Sequence, residues 1–245
     1  MSKKKKLDIL YEDKFIIVVN KPSNLLTVST EKEKDRTLFS YVFDYLKKKN
    51  KNNKVFIVHR LDKDTSGIVM LAKDEKTKFY LQENWDKFKR NYVAIVEGKL
   101  EKKRGVLKNY LQETKTHYTY VVNDKNGKLA ITEYEKILEN KKYTLVSLNI
   151  KTGRKNQIRV QFSNIGNPIV GDKKYGTKKD PIRRMALVAN TLEFIHPKTK
   201  EKIIIDINIP NSFINLVKWW KNIIFFIIFI KFIVKKNRMC YNNNV

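Results

Sequence analysis

Apolar positions along the chain alternate between short β-type runs and helical stripes. Phe15-Ile16-Ile17-Val18-Val19 is a continuous, largely β-branched run closed by Asn20-Lys21-Pro22, and proline cannot donate to a sheet ladder, so the run predicts a strand that ends in a turn. Leu38, Tyr41, Val42, Tyr45 and Leu46 follow the i, i+3, i+4, i+7, i+8 spacing of one helix face. Thr37 stands where an N-cap belongs, and the Lys/Asn run 47–54 ends the stripe. Two apolar runs, Val55 to Val58 and Ile68 to Ala72, flank the polar segment HRLDKDTSG and predict strand, tight loop, strand. Leu81, Trp85 and Phe88 give a second helical stripe, and Tyr92 to Val96 a strand stopped by Glu97-Gly98.

From Tyr118 to Ile150 the pattern is mostly β. Tyr118 to Val122, the turn Asp124 to Gly127, Ile131 to Leu138, the break Glu139 to Lys142 and Tyr143 to Ile150 predict an antiparallel meander. Ile158, Phe162 and Ile165 fit a helix ended by Gly166, the reading favoured here, although 158, 160 and 162 also fit a strand. Met185 to Phe194 and Ile203 to Ile209 read as strands, with loops at Pro168 to Gly176 and Thr199 to Glu201. No internal repeat or linker divides the first 217 residues. The expectation is one α+β domain over 1–217, a mixed, largely antiparallel sheet flanked by helices and loops. Residues 218–245 change character to Ile/Phe runs broken by Lys and Asn, too short and too charged for a bilayer span of roughly 20 apolar residues. This tail is expected to lie outside the fold.

Charge changes the picture. The chain carries 52 Lys+Arg against 25 Asp+Glu, a formal net charge of +27 spread over its whole length. Self-repulsion of that size is best tolerated beside a polyanion, which makes nucleic acid the first expected partner. A single cysteine, Cys240, allows no internal disulfide, and four lysines follow Ser2 without an apolar stretch, so the chain reads as cytoplasmic. His59, His117 and His196 are far apart with no cysteine near them, which gives no pattern for a zinc site.

One segment concentrates chemistry. His59-Arg60-Leu61-Asp62-Lys63-Asp64-Thr65-Ser66-Gly67 places Asp62 at the end of a predicted strand between Arg60 and Lys63. Neighbouring cations favour the charged carboxylate, available as nucleophile or base. A second segment, Thr152-Gly153-Arg154-Lys155-Asn156-Gln157-Ile158-Arg159, gathers three cations around a glycine at a helix start that could face phosphates.

Together these segments resemble the RluA-type RNA pseudouridine synthase family. The resemblance rests on six ordered segments: YEDKFIIVVNKP at 11–22, HRLDKDTSG at 59–67, RNYVAIVEG at 90–98, TGRKNQIRV at 152–160, IGNPIVGDKKYG at 165–176 and RMALVANTLEFIHP at 184–197. It extends from about Leu7 to Pro210. It implies a cofactor-free, metal-free isomerase, acting as a monomer, that detaches uracil from ribose in structured tRNA or rRNA and rejoins it through carbon five. Under this resemblance Asp62 is the essential aspartate, acting at the anomeric carbon or on the ribose 2′ proton, and Arg159 pairs with it. Tyr92 stacks on the flipped uracil, and Arg60 enters the RNA where the base leaves. Thr65, Arg154 and Gln157 are the further substrate-binding residues. Asn156, Gln161 and Val188 stand where the family often writes histidine, and Arg90 where it usually writes lysine. These departures touch substrate contacts and leave the chemistry intact. A catalytically inactive RNA-binding protein of the same fold is the alternative. Asp62-x-Asp64 also superficially suits a Mg²⁺-dependent haloacid dehalogenase-like phosphatase, but His59-Arg60 interrupts the apolar approach that motif requires.

Overall fold

The computed structural model describes residues 7–31, 33–123, 126–177 and 180–218. The expected tail and the first two residues of the expected 124–127 turn lie outside the described residues, Lys218 excepted.

An eleven-stranded sheet organises the chain among the described residues. Its strands are β1 (Ile9–Glu12), β2 (Ile16–Lys21), β3 (Phe56–Ile57), β4 (Ser66–Ala72), β5 (Lys89–Glu97), β6 (Arg104–Glu113), β7 (Thr119–Val122), β8 (Lys128–Glu139), β9 (Tyr143–Ile150), β10 (Leu187–Ile195) and β11 (Lys202–Asp206). They run in the order β1-β2-β4-β10-β5-β9-β8-β6-β7, with β11 on β10 and β3 on β4. Every pairing is antiparallel except β4 with β10, where Ser66 faces Val188 and Gly67 faces Ala189.

That parallel contact depends on one glycine. Gly67 has φ +117, and a Cβ there would fall 2.2 Å from the carbonyl oxygen of Ala189. Only glycine allows the two backbones to approach so closely.

Among the described residues four helices cover the sheet: α1 (Leu38–Lys49), α2 (Glu75–Glu83), α3 (Gln157–Asn164) and α4 (Asn211–Val217). α1 begins with a capping box: Thr37 Oγ1 accepts from the Ser40 amide at 3.0 Å, and Ser40 Oγ accepts from the Thr37 amide at 3.2 Å. Leu38, Val42 and Leu46 are its buried stripe, and Lys47 to Lys49 sit at its negative end. All seven residues of β4 are buried, since one of its faces packs with α1 and the other with α2. Two-sided burial explains why the run reads as continuous rather than alternating.

Several expectations need correction. β1, β6 and α4 were not read from the pattern. β6 is mostly polar, with exposed positions along much of its length. It separates β7 from β8, so β7 pairs with β6 and the expected meander is not built in sequence order. Trp85 and Phe88 do not continue the helix of Leu81: α2 ends at Glu83, Trp85 lies in a 3-10 turn, and Phe88 follows it extended. The last strand stops at Asp206, short of Ile209. The ambiguous segment after Asn156 is helical, as favoured, and Gly166 follows its end with φ +78.

Candidate active site

The loop between β3 and β4 has no regular structure, so its backbone groups need other partners. Asp62 lies five residues beyond β3 in this loop, not at a strand end as the pattern suggested. Thr27, 2% exposed, brackets Leu61: its Oγ1 donates to the Leu61 carbonyl at 2.7 Å and accepts from the Leu61 amide at 3.1 Å. The fully buried Lys21 donates to the carbonyls of Pro22 (3.0 Å), Leu25 (2.6 Å) and Lys63 (3.0 Å). Three acceptors match the three protons of an ammonium. Ser23 Oγ donates to the Asp64 carbonyl at 2.7 Å. His59 Nε2 accepts from the Met70 amide at 3.1 Å, and its ring stacks on Trp85 with centroids 4.0 Å apart. Burial, with Arg90 nearby, lowers the His59 pKa to about 3, so the ring is neutral. The backbone on both sides of Asp62 is thereby fixed before any ligand arrives.

Arg159 meets Asp62 from α3. Its Nη1 donates to Asp62 Oδ2 at 3.0 Å, joining residues 97 apart in sequence. The rest of the guanidinium is held from behind: Nε and Nη2 each donate to Asp172 at 2.8 Å, and Nη1 also donates to Asn156 Oδ1 at 3.1 Å. Burial opposes the charge on Arg159, but the two carboxylates overcome it and raise its pKa. Asp172 is 1% exposed; burial works against its ionisation, and Arg159 with the amides of Lys174 and Tyr175 lowers its pKa nonetheless. Tyr175 completes the wall, with its ring 5.2 Å from the guanidinium carbon and its hydroxyl accepting from Asn156 Nδ2 at 3.1 Å.

Tyr92 lies on β5, the central strand between β9 and β10. Burial pushes its phenol up to about 12, with Arg90 lowering and Asp62 raising it, so the hydroxyl keeps its proton at neutral pH. Asp62, Tyr92, Arg159, Arg60, Thr65, Arg154 and Gln157 all border one cavity of about 520 Å³. That volume lies in the range of small-ligand sites, about 300–1,000 Å³. A larger space of about 810 Å³, beside Lys21 and Arg184, does not include Asp62.

The seven differ in how they meet this cavity. Arg60 is exposed and Thr65 is 3% exposed. Arg154 is exposed but donates from Nε to the Leu129 carbonyl at 2.9 Å. Gln157 is 4% exposed and its amide is occupied within the protein. Its Oε1 accepts from Thr152 Oγ1 (2.7 Å) and the Arg154 amide (3.0 Å), while Nε2 donates to Ile131 O (3.1 Å) and Thr132 Oγ1 (2.9 Å). Gln161 is fully buried and ties α3 to β8 and β6 through Thr132 and Leu107. Sequence reasoning missed Asp172, Tyr175, Lys21 and the His59–Trp85 stack. Asp172 and Tyr175 lie inside a quoted segment, but nothing in one dimension shows that they face Arg159.

The family follows from these residues and their matches. Residues 15–164 match the RNA pseudouridylate synthase model, which spans more than half of the chain. The chain belongs to the RluA-type RNA pseudouridine synthase family. It is 35% identical over 216 residues to the RNA pseudouridine synthase YhcT of Bacillus subtilis, covering 86% of this chain and 72% of that protein. It is 33% identical over 225 residues to tRNA pseudouridine synthase C of Haemophilus ducreyi, with 81% and 89% covered. Against ribosomal large subunit pseudouridine synthase D of Nitrosomonas europaea the identity is 33% over 228 residues, with 89% and 66% covered. The fold also matches human RNA pseudouridylate synthase domain containing 4, with TM-score 0.71, 23% identity, and 84% of this chain and 90% of that one covered. The expected isomerase class agrees with these relatives. The inactive-binder and phosphatase alternatives draw no support from them.

Proposed function

We propose that this pseudouridine synthase converts specific uridines of structured tRNA or rRNA to pseudouridine with Asp62 as the essential group. The observation that carries this reading is the Asp62–Arg159 ion pair, buried on the arginine side and opening on the aspartate side into the cavity that Tyr92 borders. A carboxylate so held is aimed into the cavity, as either attack at the anomeric carbon or removal of the 2′ proton requires. Tyr92 offers a ring for the flipped uracil and a phenol that can handle the carbon-five proton. Exposed Arg60 fills the stack that the base leaves, offsetting an extrusion cost of a few kcal/mol. Arg154 contacts the substrate at the rim and Thr65, buried in the cavity wall, contacts it from within. Gln157 is reassigned: with its amide occupied, it shapes the turn that presents Arg154 and Asn156.

The enzyme acts as a cytoplasmic monomer on its RNA, with residues 1–217 sufficient and 218–245 dispensable. Among the described residues no helix is long and apolar enough to cross a membrane. Pseudouridine mapping of total RNA from cells with and without the gene tests the function and names the uridine. Loss of no pseudouridine would refute it. Turnover by the purified protein in chelator separates it from metal-dependent chemistry, and a 1–217 truncation without activity would refute the domain assignment.

A further inference from the structure

Arg90 is the charge at this site that the reading above leaves unused. It is 4% exposed on β5, two residues before Tyr92, so both side chains leave the same face of the strand. It borders the cavity with Asp62 and Tyr92. Its Nε and Nη1 are closed from solvent and have no partner among the described residues. Nη2 makes two contacts, both at 3.3 Å, one to the Lys151 carbonyl and one to Asp86. The Asp86 side chain is 83% exposed, so water screens most of what it offers. The guanidinium carbon lies 5.7 Å from the Trp85 ring, which itself covers neutral His59. Nη1 lies 3.5 Å from where a Cβ of Gly153 would stand.

The balance of buried charge makes this unusual. Arg159 faces two carboxylates and has no positive charge to spare, whereas Arg90 faces none that is buried. An uncompensated buried charge costs several kcal/mol, so its retention asks for a counter-charge that appears only during function. The reaction supplies one. If the Asp62 carboxylate bonds to the anomeric carbon, the N1–C1′ electron pair leaves on uracil. If Asp62 instead takes the 2′ proton, the C2′–H pair becomes a C1′–C2′ double bond and uracil again leaves with the N1–C1′ pair. Either way one negative charge moves from Asp62, beside Arg159, to the detached base. Rejoining forms the C5–C1′ bond while the Asp62–C1′ bond breaks or, on the other route, while Asp62 returns its proton to C2′; carbon five then loses its proton and N1 gains one, so the base ends neutral and Asp62 regains its charge.

We propose that Arg90 is the fixed positive charge that stabilises the uracil anion between cleavage and rejoining, a preorganised field beneath the base rather than a contact to RNA. The inference rests on the function proposed above. A phosphate anchor would need reachable N–H groups, and Nε and Nη1 are not reachable.

The test compares wild type, Arg90→Met and Arg90→Lys on RNA carrying uridine or 5-fluorouridine at the target, under single turnover at saturating enzyme. 5-Fluorouracil is the more stable anion and needs less help. Arg90→Met is expected to slow loss of uridine by about 10²–10³-fold, the scale of losing one such electrostatic group, and to slow loss of 5-fluorouridine at least tenfold less. Arg90→Lys, which keeps the charge, is expected to recover most of the rate, with RNA affinity unchanged in both variants. Because the guanidinium is under-partnered, Arg90→Met is expected to melt at or above the wild-type temperature. Equal deficits on the two substrates would overturn the proposal. So would equal losses in the Met and Lys variants, a loss confined to RNA affinity, or failure of the Met variant to fold. An inactive wild type would instead count against the function itself.

Discussion

Asp172 accepts from Arg159 at both carboxylate oxygens, each bond 2.8 Å, and so fixes the plane of the guanidinium whose remaining nitrogen reaches Asp62. The pair that touches the cavity is therefore aimed by a residue that does not. Asp172→Asn is expected to lower the rate at saturating RNA while leaving RNA affinity within a few-fold, and to cost on the order of 3 kcal/mol in urea unfolding. An unchanged rate would show that Asp62 and Asn156 orient Arg159 without Asp172.

Removing Arg159 strands two carboxylates, one of them fully buried. Arg159→Ala is expected to lose about 3–5 kcal/mol of stability. Where the variant still folds, pseudouridine formation at saturating RNA is expected to fall steeply, because Asp62 loses the group that positions it. A variant that keeps the wild-type rate would argue that Arg159 does not position Asp62.

Asp62→Asn keeps the shape and the contact with Arg159 but supplies no anion. Pseudouridine formation is expected to fall below detection while RNA binding in a filter assay survives. Activity in this variant at an unchanged fold would remove Asp62 from the chemistry.

Gly67→Ala places a methyl group 2.2 Å from the Ala189 carbonyl oxygen at a φ of +117, so β4 and β10 must separate. The Asp62 loop is anchored at that junction. A loss of several kcal/mol is expected, with activity falling more steeply than helix content. A variant with wild-type melting temperature and rate would show that the junction tolerates a shift.

Glu12 joins Lys73, Lys49 and Tyr45 across β1, the end of β4 and α1. Burial opposes its ionisation, but these three bonds lower its pKa from 4.5 to about 2. A carboxylate with a depressed folded-state pKa stabilises the fold fully above its unfolded value and loses that effect as pH falls through the folded one. Stability on the order of 2 kcal/mol should therefore disappear between about pH 4.5 and pH 2. Glu12→Gln should remove that part of the acid dependence; identical acid titrations of the two proteins would contradict the assignment.

Much of the protein was legible in one dimension. α1 was readable because its apolar spacing, its Thr37 cap and its basic last turn all agree. β4 and β9 were readable because their apolar stretches are short and bounded by turn residues, too brief for a helix. The segments holding Asp62, Tyr92 and Arg159 could be picked out because their residue types and order resemble the family's. β6 could not, since its residues are mostly polar and exposed, and its ladders to β7 and β8, not an apolar face of its own, hold it in the sheet.

The tertiary structure alone decided which groups carry charge into the cavity and which are already occupied. In the sequence Gln157 reads as a substrate contact and Arg90 only as a departure from the family's usual lysine. Packing gives every polar atom of the Gln157 amide a partner from β8 or its own turn, and leaves two nitrogens of Arg90 without any among the described residues. Sequence fixes side-chain type and local periodicity, both properties of neighbours along the chain. Hydrogen-bond satisfaction and desolvation depend on residues brought together over separations such as the 97 positions between Asp62 and Arg159, and only the folded chain sets those distances.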